Sequence, residues 1–253
     1  MISFDSITPC RLLVDGPASG AWQMAVDEVL LDSAAERGVA TLRFYEWSEP
    51  TLSLGYFQGY RERDAHRASR DCPLVRRQTG GGAILHDVEL TYSLALPFAH
   101  PLAADTTRLY DAAHQALIEV LAGFDIVARL CEQASAIESG EQPFLCFARR
   151  STGDVLLGNS KIGGSAQRRR RGAILQHGSL ILAASPAAPE LPGIFELAKK
   201  KLSPVALTEA WAKQMAGQLW LRPTASFLTA GELDAIRKLT LEKYSANSWN
   251  QRR

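Results

Sequence analysis

Three short segments carry the residue types that could do chemistry. The first is Arg76-Arg77-Gln78-Thr79-Gly80-Gly81-Gly82-Ala83-Ile84-Leu85-His86-Asp87. Three consecutive glycines lose much conformational entropy on folding, so a chain that keeps them uses positive φ angles or brings its backbone very close to another group. Taken alone, the run is a plain turn between Leu74-Val75 and the alternating stretch Leu90, Tyr92, Leu94 and Leu96. Two arginines before it and a His-Asp pair after it open a second reading, because such groups beside exposed backbone bind a carboxylate, a phosphate or an acyl carbonyl. It is not a Walker loop, since no Gly-Lys-Ser/Thr follows the glycines.

The second segment is Asn159-Ser160-Lys161-Ile162-Gly163-Gly164-Ser165-Ala166-Gln167. In a regular strand Lys161, Gly163 and Ser165 share one face, and the bare Gly163 would open a cavity beside the lysine. A lysine in a partly desolvated cleft serves as an acid/base or as partner to an anion; the bland alternative is a surface lysine after a turn. The third segment is Pro143-Phe144-Leu145-Cys146-Phe147-Ala148-Arg149-Arg150. A cysteine among large apolar neighbours is usually an inert core residue. Two arginines within four positions supply a field that favours a thiolate, which makes an accessible Cys146 a nucleophile.

The elements that must position these groups read as follows. Apolar residues at Trp22, Val26, Val29 and Leu30 give a helix over Trp22 to Glu36 that Gly38 stops. Thr41 to Trp47 and Thr51 to Tyr56 read as strands, and Thr106 to Ala122 as a second helix ended by Gly123. A meander follows: Val155-Leu156-Leu157, a Gly158-Asn159 turn, Lys161 to Gln167, an arginine-rich tip and Ala173 to Leu182. Helix returns near Thr208 to Leu221 and from Thr229, whose spacing to Glu232 is that of a capping box. Strands and helices that do not strictly alternate predict an α+β fold with mixed or antiparallel sheets flanked by helices.

At 253 residues, 46% hydrophobic and 22% charged, the chain can bury one core, and the expectation is a single catalytic domain over 1–253. A net charge of +1 gives no reason to expect nucleic acid or a membrane surface as partner. No apolar run reaches about 18 residues and no secretory leader is visible, so the expected compartment is the cytoplasm. Cys10, Cys72, Cys131 and Cys146 lack metal-ligand spacing, so free thiols and no metal site are expected. Between Arg149 and Arg171 seven Lys or Arg residues face one acid, Asp154. That run, above all Arg168 to Arg171, is either a solvated hairpin tip or a docking site for an acidic partner.

Together, Arg-Arg-x-Thr-Gly-Gly-Gly-Ala-x-x-His-Asp at 76–87, Lys-x-x-Gly-Ser-Ala-Gln at 161–167 and Gln176-His177-Gly178-Ser179-Leu180 resemble the biotin/lipoyl protein ligase superfamily. The similarity runs from about Arg11 through Asp15-Gly16, Ala25-Asp27-Glu28 and Leu54-Gly55 to Glu242-Lys243-Tyr244 and Trp249. The resemblance implies the catalytic-domain fold of that superfamily and a tunnel for a lipoyl or octanoyl chain. Its expected lining is Arg76, Arg77, Thr79, Gly80, Gly81, Gly82, His86, Gly163, Gly164, Ser165 and Ala166, with Lys161 at the reacting end.

Ligase members activate free lipoate with ATP, and many carry an accessory domain. About 30 residues follow Pro223 here, enough for one helix and a tail. That shortness resembles the octanoyltransferases that place a cysteine before the lysine strand, where Cys146 stands. The resemblance then implies transfer of octanoyl from acyl carrier protein to Cys146 and on to a lysine of a lipoyl-type domain, such as the glycine cleavage H protein or a dehydrogenase E2, with no cofactor. Three alternatives remain open at this stage: a lipoate ligase using ATP and Mg2+, an octanoyl amidotransferase between lipoyl domains, and a non-catalytic acyl or carrier-domain binder. The stretch Cys131 to Gln142, with Glu132, Glu138 and Glu141, is expected to be a loop before the nucleophile.

Overall fold

In the computed structural model, which describes residues 7–134 and 143–253, the chain runs β1 (Thr8–Val14), α1 (Gly20–Arg37), β2 (Ala40–Tyr45), β3 (Thr51–Leu54), β4 (Leu74–Arg76), β5 (Ile84–His86), β6 (Glu89–Pro97), α2 (Thr106–Gly123), β7 (Ala128–Leu130), β8 (Val155–Leu157), β9 (Ser160–Arg170), β10 (Ala173–Ile181), α3 (Ile194–Ala198), α4 (Pro204–Gln218), β11 (Leu221–Ala225), α5 (Ala230–Leu239) and α6 (Asn247–Asn250). Cys146–Ala148 form a single 3-10 turn. Positions 135–142, which include Glu138 and Glu141 of the expected loop, lie outside the described residues.

Eight strands form one sheet in the order β11-β1-β2-β6-β10-β9-β8-β7. β1 pairs parallel with both β11 and β2, and every other pairing in that sheet is antiparallel. A second sheet, β4-β3-β5, holds the start and the end of the glycine segment on either side of β3. Mixed sheets with helices on their faces give the expected α+β architecture.

Alternation along the central strands sends successive side chains to opposite faces. Leu42, Phe44, Leu94 and Leu96 pack against Leu109 and Leu117 of α2 and Trp211 and Met215 of α4. Tyr45, Ala95 and Leu175 face Val26 and Leu30 of α1 and Ile236 of α5. Both β6 and β10 are buried at every position, the burial of strands covered on both faces. A third apolar cluster joins Leu52, Leu54 and Leu85 of the small sheet to Leu145 and Phe147 around the cysteine turn.

Helix α1 begins where Ser19 accepts the Trp22 amide and ends at Gly38, whose φ of 69° favours glycine. Helix α4 starts four residues before its expected position, because Ser203 caps it and Pro204 fits its first turn. Leu221, expected as a helix end, instead opens edge strand β11, which runs to Ala225; Pro223 is tolerated there because an edge position can forgo an amide donor. β1 has no counterpart in the sequence reading, since Pro9 argues against strand and the run Leu12-Leu13-Val14 breaks the apolar alternation. The basic run also differs from a free tip: β9 continues through it, Arg170 pairs with Glu28 (2.8 Å) and Asp32 (3.6 Å), and Arg171 with Glu36 (3.8 Å). No helix among the described residues is long and apolar enough to cross a membrane.

Candidate active site

Cys146 reaches its position through the short turn that follows Leu145. Ala83, just after the glycines, bridges Leu145, and the Cys146 amide donates to the Ala83 carbonyl at 2.7 Å. The thiol is thereby fixed against the glycine turn. β9 brings Lys161 from the other side, and its Nζ lies 3.6 Å from the Cys146 sulfur. Lys161 is only 6% exposed, its ammonium 5.1 Å from the centroid of the Phe147 ring. Asp154 completes the group: it is 1% exposed, and its Oδ2 lies 2.9 Å from Lys161 Nζ.

The charges decide the state of the sulfur. Burial pushes the Cys146 thiol up, whereas Lys161, Arg77 and Arg149 pull it down and prevail, so the thiol sits below its ordinary value; Asp154 acts against them. The half-buried sulfur lines a partly enclosed cleft of about 510 Å³, counting the space open to solvent at its mouth. Met24, Tyr45, Ile84, Phe147 and Ala166 supply apolar wall, and His86, Thr91, His177 and Ser179 polar wall.

The expected lining residues divide into two groups. Arg77, Gly81, His86, Gly164, Ser165 and Ala166 border the cavity together with Cys146 and Lys161. His86 stacks on Trp47 with ring centroids 3.9 Å apart and bonds Glu89 through Nδ1 at 2.6 Å. Arg76, Thr79, Gly80, Gly82 and Gly163 do not border it. Arg76 is buried and donates to the carbonyls of Gly55, Gln58 and Asn250 at 2.7–2.9 Å, which ties the small sheet to the C-terminal segment. A Cβ on Gly82 would meet the Arg149 guanidinium at 2.0 Å, and Gly80 faces Phe57.

Gly163 requires a correction of the simple alternation. A register shift at Val155-Leu156 pairs Val155 with Gly163 and Leu156 with Lys161. Gly163 consequently faces Leu117 and Val155 in the core. The missing side chain that makes room for the lysine is that of Gly164, whose Cβ would lie 2.7 Å from Lys161 Cε.

Thr79 acts behind the wall. Its hydroxyl bonds His177 Nε2 at 2.7 Å, and His177 Nδ1 bonds Asp27 at 2.9 Å. Burial alone would raise the Asp27 carboxyl, but His177 and Arg43 hold it below the usual range. His177 thus links the Asp27 carboxylate of α1 to the Thr79 hydroxyl, and α1 anchors the glycine turn through it. The roles of Asp154, Asp27 and His177 at the pocket escaped the sequence reading; the one signal for Asp154 was its standing as the sole acid in the basic stretch. Among the described residues no group of three or more His, Cys, Asp or Glu side chains could hold a metal ion.

Residues 19–205, which contain the cysteine turn, the lysine strand and the glycine segment, match the model of the lipoyl protein ligase A/B catalytic domain. The chain belongs to this family. Within it, the chain is 36% identical to octanoyltransferase LipM of Kyrpidia tusciae over 271 residues, covering 96% of this chain and 98% of that protein. Identity to octanoyltransferase LipM of Brevibacillus brevis is 32% over 272 residues, with 96% and 99% covered. Among solved structures, Ta0514, a putative lipoate protein ligase from T. acidophilum, superposes with a TM-score of 0.78 at 24% identity over 97% of this chain and 100% of that one, which shows the lipoyl protein ligase fold.

Proposed function

We propose that this chain is an octanoyltransferase of protein lipoylation. It carries an octanoyl group on Cys146 between a thioester donor and a lysine of a lipoyl-type carrier domain. The observation that carries the reading is a lowered thiol 3.6 Å from a buried ammonium at the wall of a largely apolar cavity. Full-length likeness to proteins named octanoyltransferase supports the acyl group, and the lipoyl protein ligase family model supports the acceptor class.

The first step is attack of the Cys146 thiolate on the thioester carbonyl. A carbon–sulfur bond forms to Cys146, the bond to the donor sulfur breaks, and the departing thiolate takes up a proton that Lys161 is placed to deliver. In the second step the acceptor lysine amine attacks the acyl-cysteine, gives its proton to Lys161, and expels Cys146 as thiolate. Backbone amides near the glycines or near Gly164-Ser165 hold the oxyanion in each step. Exchange of one thioester for another changes free energy little, and amide formation makes the sequence downhill, so no nucleotide is consumed. The phosphopantetheine thioester of acyl carrier protein is the donor in this reading. The H protein of glycine cleavage or a dehydrogenase E2 lipoyl domain is the acceptor, and residues 1–253 act as one catalytic domain.

The test gives purified protein an acceptor domain with either octanoyl-acyl carrier protein alone or free octanoate, ATP and Mg2+. Octanoylation with the first mixture only, abolished in Cys146→Ser, is the expected result. Modification with the second mixture that survives Cys146→Ser would establish the ligase instead.

A further inference from the structure

A lysine beside a reactive thiol needs only to be charged and close, yet here a carboxylate sits directly behind it. As a bare charge Asp154 opposes ionisation of Cys146. Its placement has another consequence. The four-carbon stem of a lysine gives its ammonium a wide sweep, and holding it in one place costs side-chain entropy. Asp154 at 2.9 Å and the Phe147 ring restrict the sweep to the side of the sulfur.

Asp154 is itself held on both oxygens. The Tyr110 hydroxyl donates to Oδ1 at 3.1 Å, and the Ser151 amide donates to Oδ2 at 2.7 Å. Tyr110 belongs to α2, as does His114, whose ring lies 4.1 Å from that of Tyr110. His114 Nδ1 donates to the carbonyl of Gly153, the residue before Asp154, at 2.7 Å. Burial pushes His114 down to about 4, so the ring stays neutral near pH 7 and its Nε2 accepts the Ser165 hydroxyl. Gly153 adopts a φ of 87°, and a Cβ there would meet the Tyr110 ring at 2.8 Å, so the turn lies flat on that ring. Helix α2 thus grips the turn before Asp154 at two points.

We propose that Asp154, clamped by Tyr110 and by the His114–Gly153 contact of α2, is a positioning residue that holds the Lys161 ammonium on the Cys146 sulfur. The inference rests on the thiol–lysine pair of the proposed function and adds a third member to it. It also fixes a sign. If Asp154 acted only through its own charge, removing that charge would ease ionisation of the thiol. If it acts by placing Lys161, removing it releases the ammonium and ionisation becomes harder.

The experiment measures alkylation of Cys146 by iodoacetamide between pH 5 and 9, followed by mass on the peptide that carries it, so that Cys10, Cys72 and Cys131 do not contribute. Groups facing the sulfur are Lys161 of β9, Arg77 of the glycine segment, Arg149 of its own turn and Asp154. Burial lowers Arg77 only to about 10, so it stays charged across this window, and His114 stays neutral over most of it. Full-length wild type is compared with Asp154→Asn, Tyr110→Phe and Lys161→Met. Asp154→Asn is expected to move the midpoint up by about one pH unit, a roughly tenfold slower alkylation at pH 7, with kcat for acyl transfer falling and KM little changed. Tyr110→Phe is expected to shift it in the same direction by less. A midpoint that stays or moves down in Asp154→Asn overturns the proposal. Should Asp154→Asn fail to fold, an unshifted Tyr110→Phe overturns it equally. If Lys161→Met leaves the midpoint in place, the thiol–lysine pair itself fails; if Lys161→Met shifts it and Asp154→Asn does not, only the positioning role is lost.

Discussion

Arg77 distinguishes a clamp from an anion ligand. Its side chain is 2% exposed, one terminal nitrogen donates to the Ser53 carbonyl at 2.9 Å, and the other donates to the carbonyls of Gly80 at 2.8 Å and Gly82 at 2.7 Å. Arg77→Met keeps much of the volume and strands three acceptors in or near the interior. At about 1–3 kcal/mol for each stranded group, the gross loss is roughly 3–9 kcal/mol. Part of that is returned, because burial of the guanidinium is itself unfavourable, as its lowered value of about 10 reflects. A net loss of about 2–5 kcal/mol remains, a large share of the roughly 5–15 kcal/mol margin of a folded domain. Urea unfolding should show a lower midpoint at unchanged slope, and the melting temperature should fall by about 10 °C. Unchanged stability combined with a raised KM would refute the clamp and restore Arg77 as a ligand for a substrate anion.

Other outcomes follow from the same contacts. Gly55→Ala would place a Cβ 2.0 Å from the Gly81 carbonyl oxygen, and that backbone cannot yield without moving the pocket wall. Acyl transfer should fall at least about tenfold while circular dichroism stays native, and an active Gly55→Ala protein would contradict the placement of the turn. Glu232 answers to acid. Burial alone would raise its carboxyl, but Arg11 and Thr229 hold it down from 4.5 to about 2. A value depressed by folding contributes stability above the unfolded value and loses it as pH falls toward the folded one. Wild-type stability should therefore drop between pH 4.5 and 2 more steeply than that of Glu232→Gln, and parallel curves would disprove the linkage.

Local sequence signals located the parts of this fold that local physics determines. α1 and α2 fall within a few residues of their expected bounds, because an apolar face and a terminal glycine are written along each segment. The meander was legible for the same reason, its hairpin signal and alternation being short-range. β1 and β11 were not, since each is an element defined by its parallel partner, and Pro223 argues against strand to any reading that cannot see the edge. At the site, Cys146 and Lys161 stand out by residue type and flanking charge. Gly163 misled because β9 carries one extra residue, Ile162, opposite the Val155-Leu156 step, which reverses the face assignment from there on and leaves no reliable mark in the local sequence. Asp154 escaped because its meaning comes from Tyr110, 44 positions away in sequence. The two arginines before the glycines looked like anion ligands, whereas they hold backbone carbonyls that only the folded turn brings within their reach.

Incubation of the intact protein with octanoyl-acyl carrier protein in the absence of any acceptor domain, followed by mass spectrometry, probes the covalent step itself. The expected result is a mass gain of one octanoyl group that hydroxylamine removes, that maps to Cys146 and that is missing from Cys146→Ala. An unmodified wild-type protein that still octanoylates the acceptor when it is added, or an adduct on any residue other than Cys146, would contradict the account.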